Sequence, residues 1–187
     1  MKKENEKHTT QPIRKPLHPK HVEDLSVIFE DLIKDIYWAE KHLTNALPKM
    51  SKAAHGKNLK AGFDKHLKET NNQILRLEKV FELMGKKAVA KKCAAMEGLV
   101  NEGEEAIEEY EEGFARDAAL IVAAQKVEHY EIAAYGSLRT HAALLGMQEA
   151  AELFEETLNE EKTTDQALTT LSETINEWAL QPEEVDA

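Results

Sequence analysis

Glutamates interrupt the apolar stripes of this chain at places where a helical bundle would want leucine. Glu40 shares a helical face with Ile36, Leu43 and Leu47. Glu128 and Glu131 share one with Ile121, Ala124, Tyr135 and Leu138, and their spacing of three stacks them one turn apart. Glu161 breaks the run Phe154, Leu158, Leu168 and Leu171, with Thr164 and Asp165 one turn further on. Glu69 lies beside His66 and Gln73 at the edge of a fourth stripe that includes Phe63, Thr70 and Leu77. An unpaired carboxylate costs several kcal/mol to bury. Several of them converging would repel unless protonated or bridged by cations. The chemistry these residues predict is the binding of two divalent metal ions. Carboxylates with an occasional imidazole suit iron, with manganese as the other choice. The predicted ligands are Glu40, Glu69, Glu128, Glu131, Glu161 and His66, with Gln73 and Asp165 as weaker or outer candidates. Each has a plainer reading. A glutamate can be a solvated flank, His66 a hydrogen-bonded edge residue, and Glu160 could replace Glu161 after a small change of register.

Four long amphipathic segments must position these groups. Apolar residues at steps of three and four predict helices over about 22–54, 58–84, 114–145 and 148–178. Pro48 is expected to kink the first, and Gly56, Gly85 and Gly146 to end the first three. Short links between the first and second and between the third and fourth make antiparallel hairpins. The stretch from Gly85 to Gly113 is a long crossover. Its apolar patch of Cys93, Met96, Leu99 and Val100, followed by an acidic run, predicts a short helix or two across the bundle. The fold expected is all-α, a ferritin-like four-helix bundle of two helical hairpins joined by a long crossover. Three segments follow: a flexible basic arm over 1–21, the bundle over 22–178, and a loose tail over 179–187. The first 20 residues hold six Lys or Arg against two Glu, with prolines at 12, 16 and 19.

Composition agrees with this reading. The 187 residues include only 8 Gly and 5 Pro, and aromatics make up 6%. Ala, Leu, Glu and Lys, all good helix formers, dominate. The formal net charge of −11 argues against nucleic acid and anionic lipid as partners. No apolar run approaches the ~20 residues of a membrane span, and the N-terminus lacks the apolar stretch of a signal peptide. With a single cysteine, Cys93, a cytoplasmic location is expected. Cys93 itself reads as a small buried apolar residue. His42, His55, His129 and His141 fall off the seam and are expected at the surface. Tyr37, Tyr130 and Tyr135 read as core or boundary packing, or, near a metal, as hydrogen-bonding residues that tune it, and the sequence does not separate the two.

The runs IFEDLIKDIYWAEKHLTNALPKM, HLKETNNQILRLEKVFELMGKKA, CAAMEGLVNEG, VEHYEIAAYGSL and TLNEEKTTDQAL resemble the YciE/YciF-type family of bacterial ferritin-like stress proteins. The resemblance covers about residues 22 to 176. It implies a rubrerythrin-like bundle, paired as a homodimer, expressed in the cytoplasm and linked to general stress. It matches Glu40, Glu69, Glu128, Glu131 and Glu161 to the carboxylate ligands, with His66 and Gln73 near Glu69. One departure stands out. The positions three residues after Glu69 and Glu161 hold Asn72 and Thr164 instead of histidine, which puts tight iron binding and fast oxidation chemistry in question.

The functions expected are therefore ordered. First is a di-metal, chiefly di-iron, carboxylate protein in stress defence, with oxygen or peroxide as small-molecule substrate or with iron handling as its task. Second is a structural or partner-binding bundle with a vestigial site. Third is a manganese-catalase-like enzyme, disfavoured because the helix lengths and the crossover leave no room for that family's extra segments.

Overall fold

A computed structural model describes residues 18–181; of the arm expected over 1–21 and the tail expected over 179–187, residues 1–17 and 182–187 lie outside the described residues. Five helices follow in order: α1 Pro19–Ala53, α2 Lys57–Leu83, α3 Ala94–Glu109, α4 Phe114–Leu144 and α5 Gln148–Trp178. Helix α1 begins at Pro19, three residues before the expected start at Val22. The reason is chemical: proline at the first helical position lacks an N–H that would be unpaired there anyway, and its fixed φ suits the first turn. The helix also runs on through Pro48 without interruption.

Turn chemistry closes the hairpins. Gly85 and Gly146 adopt φ of +67° and +77°, which residues with a Cβ avoid. At each, the residue after the glycine bonds back five residues, Lys86 N–H to the Phe81 carbonyl and Met147 N–H to the Ala142 carbonyl, both at 2.9 Å. This satisfies the last carbonyls of α2 and α4. Gly56 acts differently from expectation. Helix α1 already stops at Ala54, which turns extended, and Gly56 is the N-cap of α2.

Helices α1, α2, α5 and α4 form a closed ring in which each packs on the next, and α3 covers α1 and α4. The crossover is thus one 16-residue helix preceded by an extended stretch. Lys91 N–H on that stretch bonds the Lys34 carbonyl of α1 at 3.0 Å. The core is continuous through Phe29, Ile33, Ile36, Leu59, Phe81, Leu120, Ile121, Tyr135 and Phe154. Phe29 meets Phe154 edge-on, as Tyr37 meets Phe81. Each such aromatic side chain gains roughly 1.5–3 kcal/mol on burial. Helix α4 touches α1, α3 and α5, and its alanines 123, 124, 134 and 142 are buried. Small side chains there let three neighbours approach one helix. Among the described residues no helix is long and apolar enough to cross a membrane.

Candidate metal centre

Each side chain predicted to ligate falls in the middle third of its helix, so the ring of four helices brings them to one level. Glu40 from α1, His66 from α2, Glu128 and Glu131 from α4, and Glu161 from α5 are all buried, none more than 3% exposed. His66, Glu128, Glu131 and Glu161 each offer one ligand-type atom, and these atoms lie within 4.8 Å of one another. Glu40 joins them through its neighbours. It accepts a hydrogen bond from the Tyr135 hydroxyl, and its carboxyl interacts with that of Glu131.

Glu69 sits at the rim. One of its oxygens pairs with the Lys65 ammonium at 2.5 Å, and the other is 3.9 Å from His66 Nδ1. Gln73 is fully buried and donates to Glu161 at 2.5 Å and to Glu160 at 3.1 Å. Asp165 faces outward from the cluster, accepting from Gln125 at 3.3 Å, with the exposed His129 imidazole also at 3.3 Å. Asn72 is exposed, so the amide that enters from α2 belongs to Gln73. The register of α5 turns Glu161 inward. Glu160 is held at the edge by the Arg76 guanidinium, with two bonds of 2.6 and 2.7 Å.

Electrostatics follow from burial. Loss of water pushes the carboxyls of Glu40, Glu128 and Glu131 well above the usual range, and the neighbouring carboxylates push them further. The Glu161 carboxyl rises to about 7 for the same first reason, against the hydrogen bond from Gln73. Burial, with the Lys65 charge behind it, lowers His66 to about 4. His66 is therefore a neutral imidazole at pH 7. Its Nε2 lies 3.3 Å from Glu128 Oε1 but without the alignment of a hydrogen bond, so no ion pair forms there.

The donor set fits a metal ion. Glu40 Oε2, Glu69 Oε2, Glu128 Oε2, Glu161 Oε2, both oxygens of Glu131 and both nitrogens of His66 are buried without a hydrogen-bond partner. Native interiors rarely leave such groups unpaired unless an ion, a water or a function accounts for them. Hard carboxylate oxygens with one neutral imidazole suit iron or manganese.

Of the two readings open for Tyr135, packing or a hydrogen bond at the site, the structure shows the hydrogen bond, to Glu40, as a buried tyrosine hydroxyl seeks a partner. Two residues escaped the sequence reading. Arg76 holds Glu160 away from the centre, and nothing local in the sequence marks that long-range pair. Asp117, buried at the start of α4, accepts the His55 and Gly56 N–H groups at 2.7 Å each. Cys93 is buried as expected. Its sulfur also caps α3 by accepting Met96 N–H, and it lies 3.1 Å from the Tyr130 hydroxyl.

Known proteins share this fold. The chain is 49% identical over 157 residues to Protein YciF of Escherichia coli (strain K12), spanning 83% of this chain and 93% of that relative. The crystal structure of the E. coli stress protein YciF superposes with a TM-score of 0.79, covering 82% of this chain and 97% of that one. YcfI from Rhodopseudomonas palustris, 38% identical, gives 0.77 over 82% and 98% of the two chains. A two-domain protein from Anabaena variabilis with a ferritin-like domain shares the fold, at 17% identity and a TM-score of 0.58, covering 89% of this chain and 41% of that one. The domain-of-unknown-function family DUF892 matches residues 24–180, and the chain belongs to that family.

Proposed function

We propose that this protein is a ferritin-like di-metal carboxylate protein, with iron as the first choice and manganese as the second. Its role by likeness to YciF, described as a stress protein, is defence against oxidants or free iron. The observation that supports the reading is the convergence of unpaired buried oxygens and imidazole nitrogens from α1, α2, α4 and α5. Glu128, Glu131, Glu161 and His66 would hold the ions, with Glu40 and Glu69 completing the set. When bound, iron or manganese supplies one-electron redox chemistry toward dioxygen or peroxide. The chain's own residues do the rest. Tyr135 fixes the Glu40 carboxylate by donating a hydrogen bond, and Gln73 fixes Glu161. Arg76 retains Glu160 at the edge, so that α5 contributes one inward carboxylate instead of two. Ile36, Leu43, Ile121 and Leu158 on the same faces exclude water.

Elemental analysis of protein purified without chelator tests the reading. About two ions per chain are expected, reduced to a trace in the Glu128→Gln/Glu131→Gln variant at unchanged helical content. Protein that is metal-free as isolated, and whose unfolding temperature Fe(II) and Mn(II) leave unmoved, would reject it. That result would favour the second reading, a structural or partner-binding bundle. The observations on its side are the Asn72 and Thr164 positions and the description of the R. palustris relative as a candidate structural protein.

A further inference from the structure

A cavity of about 150 Å³ lies between α2 and α5 and ends on the carboxylate cluster. Its walls are the apolar side chains of Phe63, Leu168 and Leu171. Its buried end is lined by His66 and Glu128, whose unpaired Nε2 and Oε2 belong to the cluster. Thr164 lines it as well, and its buried Oγ1 has no hydrogen-bond partner. The outer end is bordered by Gly62, Lys65 and Ala167. A Cβ built on Gly62 would meet nothing within 4 Å, so packing does not require glycine there. Glycine inside a helix costs about 1 kcal/mol relative to alanine, and here it leaves the mouth open.

We propose that this cavity is the opening by which a small uncharged molecule, of the size of dioxygen or hydrogen peroxide, reaches the cluster; the inference rests on the di-metal reading. Size sets one limit, because the volume equals that of about five liquid waters at ~30 Å³ each. Charge sets the other. The Lys65 ammonium at the mouth is paired with Glu69, and the apolar walls offer an anion or a cation nothing in exchange for its water. The metal ions must therefore arrive by another route. The unpaired His66 nitrogen and Thr164 hydroxyl give an uncharged visitor hydrogen-bonding groups at the inner end.

The test plugs the mouth with Gly62→Leu/Ala167→Leu. Position 167 is exposed and position 62 gains helix propensity, so the variant should fold as well as the parent. Crystals of metal-free parent protein pressurised with xenon should hold the gas in this cavity, and those of the variant should not. Oxidation of the Fe(II)-loaded protein by peroxide or by dioxygen should slow by about tenfold or more, a barrier change of ~1.4 kcal/mol. The rate of Co(II) uptake, read from its visible absorbance, should stay the same. Thr164→Val separates the two molecules, since it slows the peroxide reaction alone if peroxide is the visitor and neither reaction if dioxygen is. Unchanged oxidation rates in the plugged variant overturn the inference, as does Co(II) uptake that slows in parallel. If the protein takes up no metal, the di-metal reading fails separately, and the absence of xenon from the parent crystals would then overturn the cavity's role as well.

Discussion

At the scale of single residues, the neighbours Glu160 and Glu161 show how one step along a helix changes a carboxylate's work. Glu161 is buried among three other glutamates, its carboxyl held at about 7 by loss of water. Glu160 is half-buried, and two hydrogen bonds from the Arg76 guanidinium satisfy it. Replacing each by glutamine should therefore split two properties. Glu161→Gln is expected to abolish metal uptake and leave the metal-free fold as stable or more so, because one buried charge is gone. Glu160→Gln is expected to keep the metal and to lose roughly 1–2 kcal/mol of stability, since an Arg76 that is only 15% exposed loses one of its two ionised partners and keeps only Glu156. Metal analysis and denaturant unfolding of the two variants check this. Equal metal content in both would contradict the assigned register of α5.

At the scale of elements, the link between α1 and α2 is secured from a third helix. Asp117 in the first turn of α4 receives the N–H groups of His55 and Gly56. Its carboxylate comes so close that a Cβ on Gly56 would lie 3.0 Å from Oδ2. Glycine at 56 thus spares a tight contact with that carboxylate, which also sits favourably at the positive end of α4. Asp117→Ala would leave two N–H groups unpaired in a part-buried place and should cost about 2–4 kcal/mol. The metal centre, built from the middles of the helices, should retain its ions. A thermal scan paired with metal analysis measures both, and loss of metal at full stability would refute the separation.

At the scale of the whole molecule, the same cluster that fits cations should weaken the metal-free fold as pH rises. Glu40, Glu128, Glu131 and Glu161 are harder to ionise folded than unfolded, Glu161 holding its proton up to about 7. A raised carboxyl contributes stability that is complete below its ordinary value of 4.5 and is lost as pH climbs through the folded value. His66 has the opposite sign, since its lowered value costs stability only as pH falls from 6.5 toward about 4. Above pH 6.5 the carboxyls act alone, so the unfolding temperature of chelator-treated protein should fall with rising pH. Added metal should reverse the trend, because it competes with those protons. Metal at a hundredfold excess over its Kd stabilises by about 2.7 kcal/mol per site. Thermal scans with chelator and with Mn(II) above pH 6.5 test both slopes. A chelator-treated protein whose stability is flat or rises over that range would contradict the prediction.

The helices and their hairpins were legible because their causes are local. A three-to-four spacing of Leu, Ile and Phe marks each buried face, and Gly85 and Gly146 end α2 and α4 where a positive φ is needed. The convergence of Glu40, Glu128, Glu131 and Glu161 could be anticipated for the same reason, since a charge in phase with an apolar stripe must point inward with it. What needed tertiary structure was everything that depends on contact between distant segments. Glu161 was separated from Glu160 only by Arg76 on another helix. Tyr135 gained its role by facing Glu40 across the bundle, 95 residues away in sequence. Periodicity sets which face of a helix is buried, but the rotation that aims one side chain at a particular partner is settled when four helices pack together.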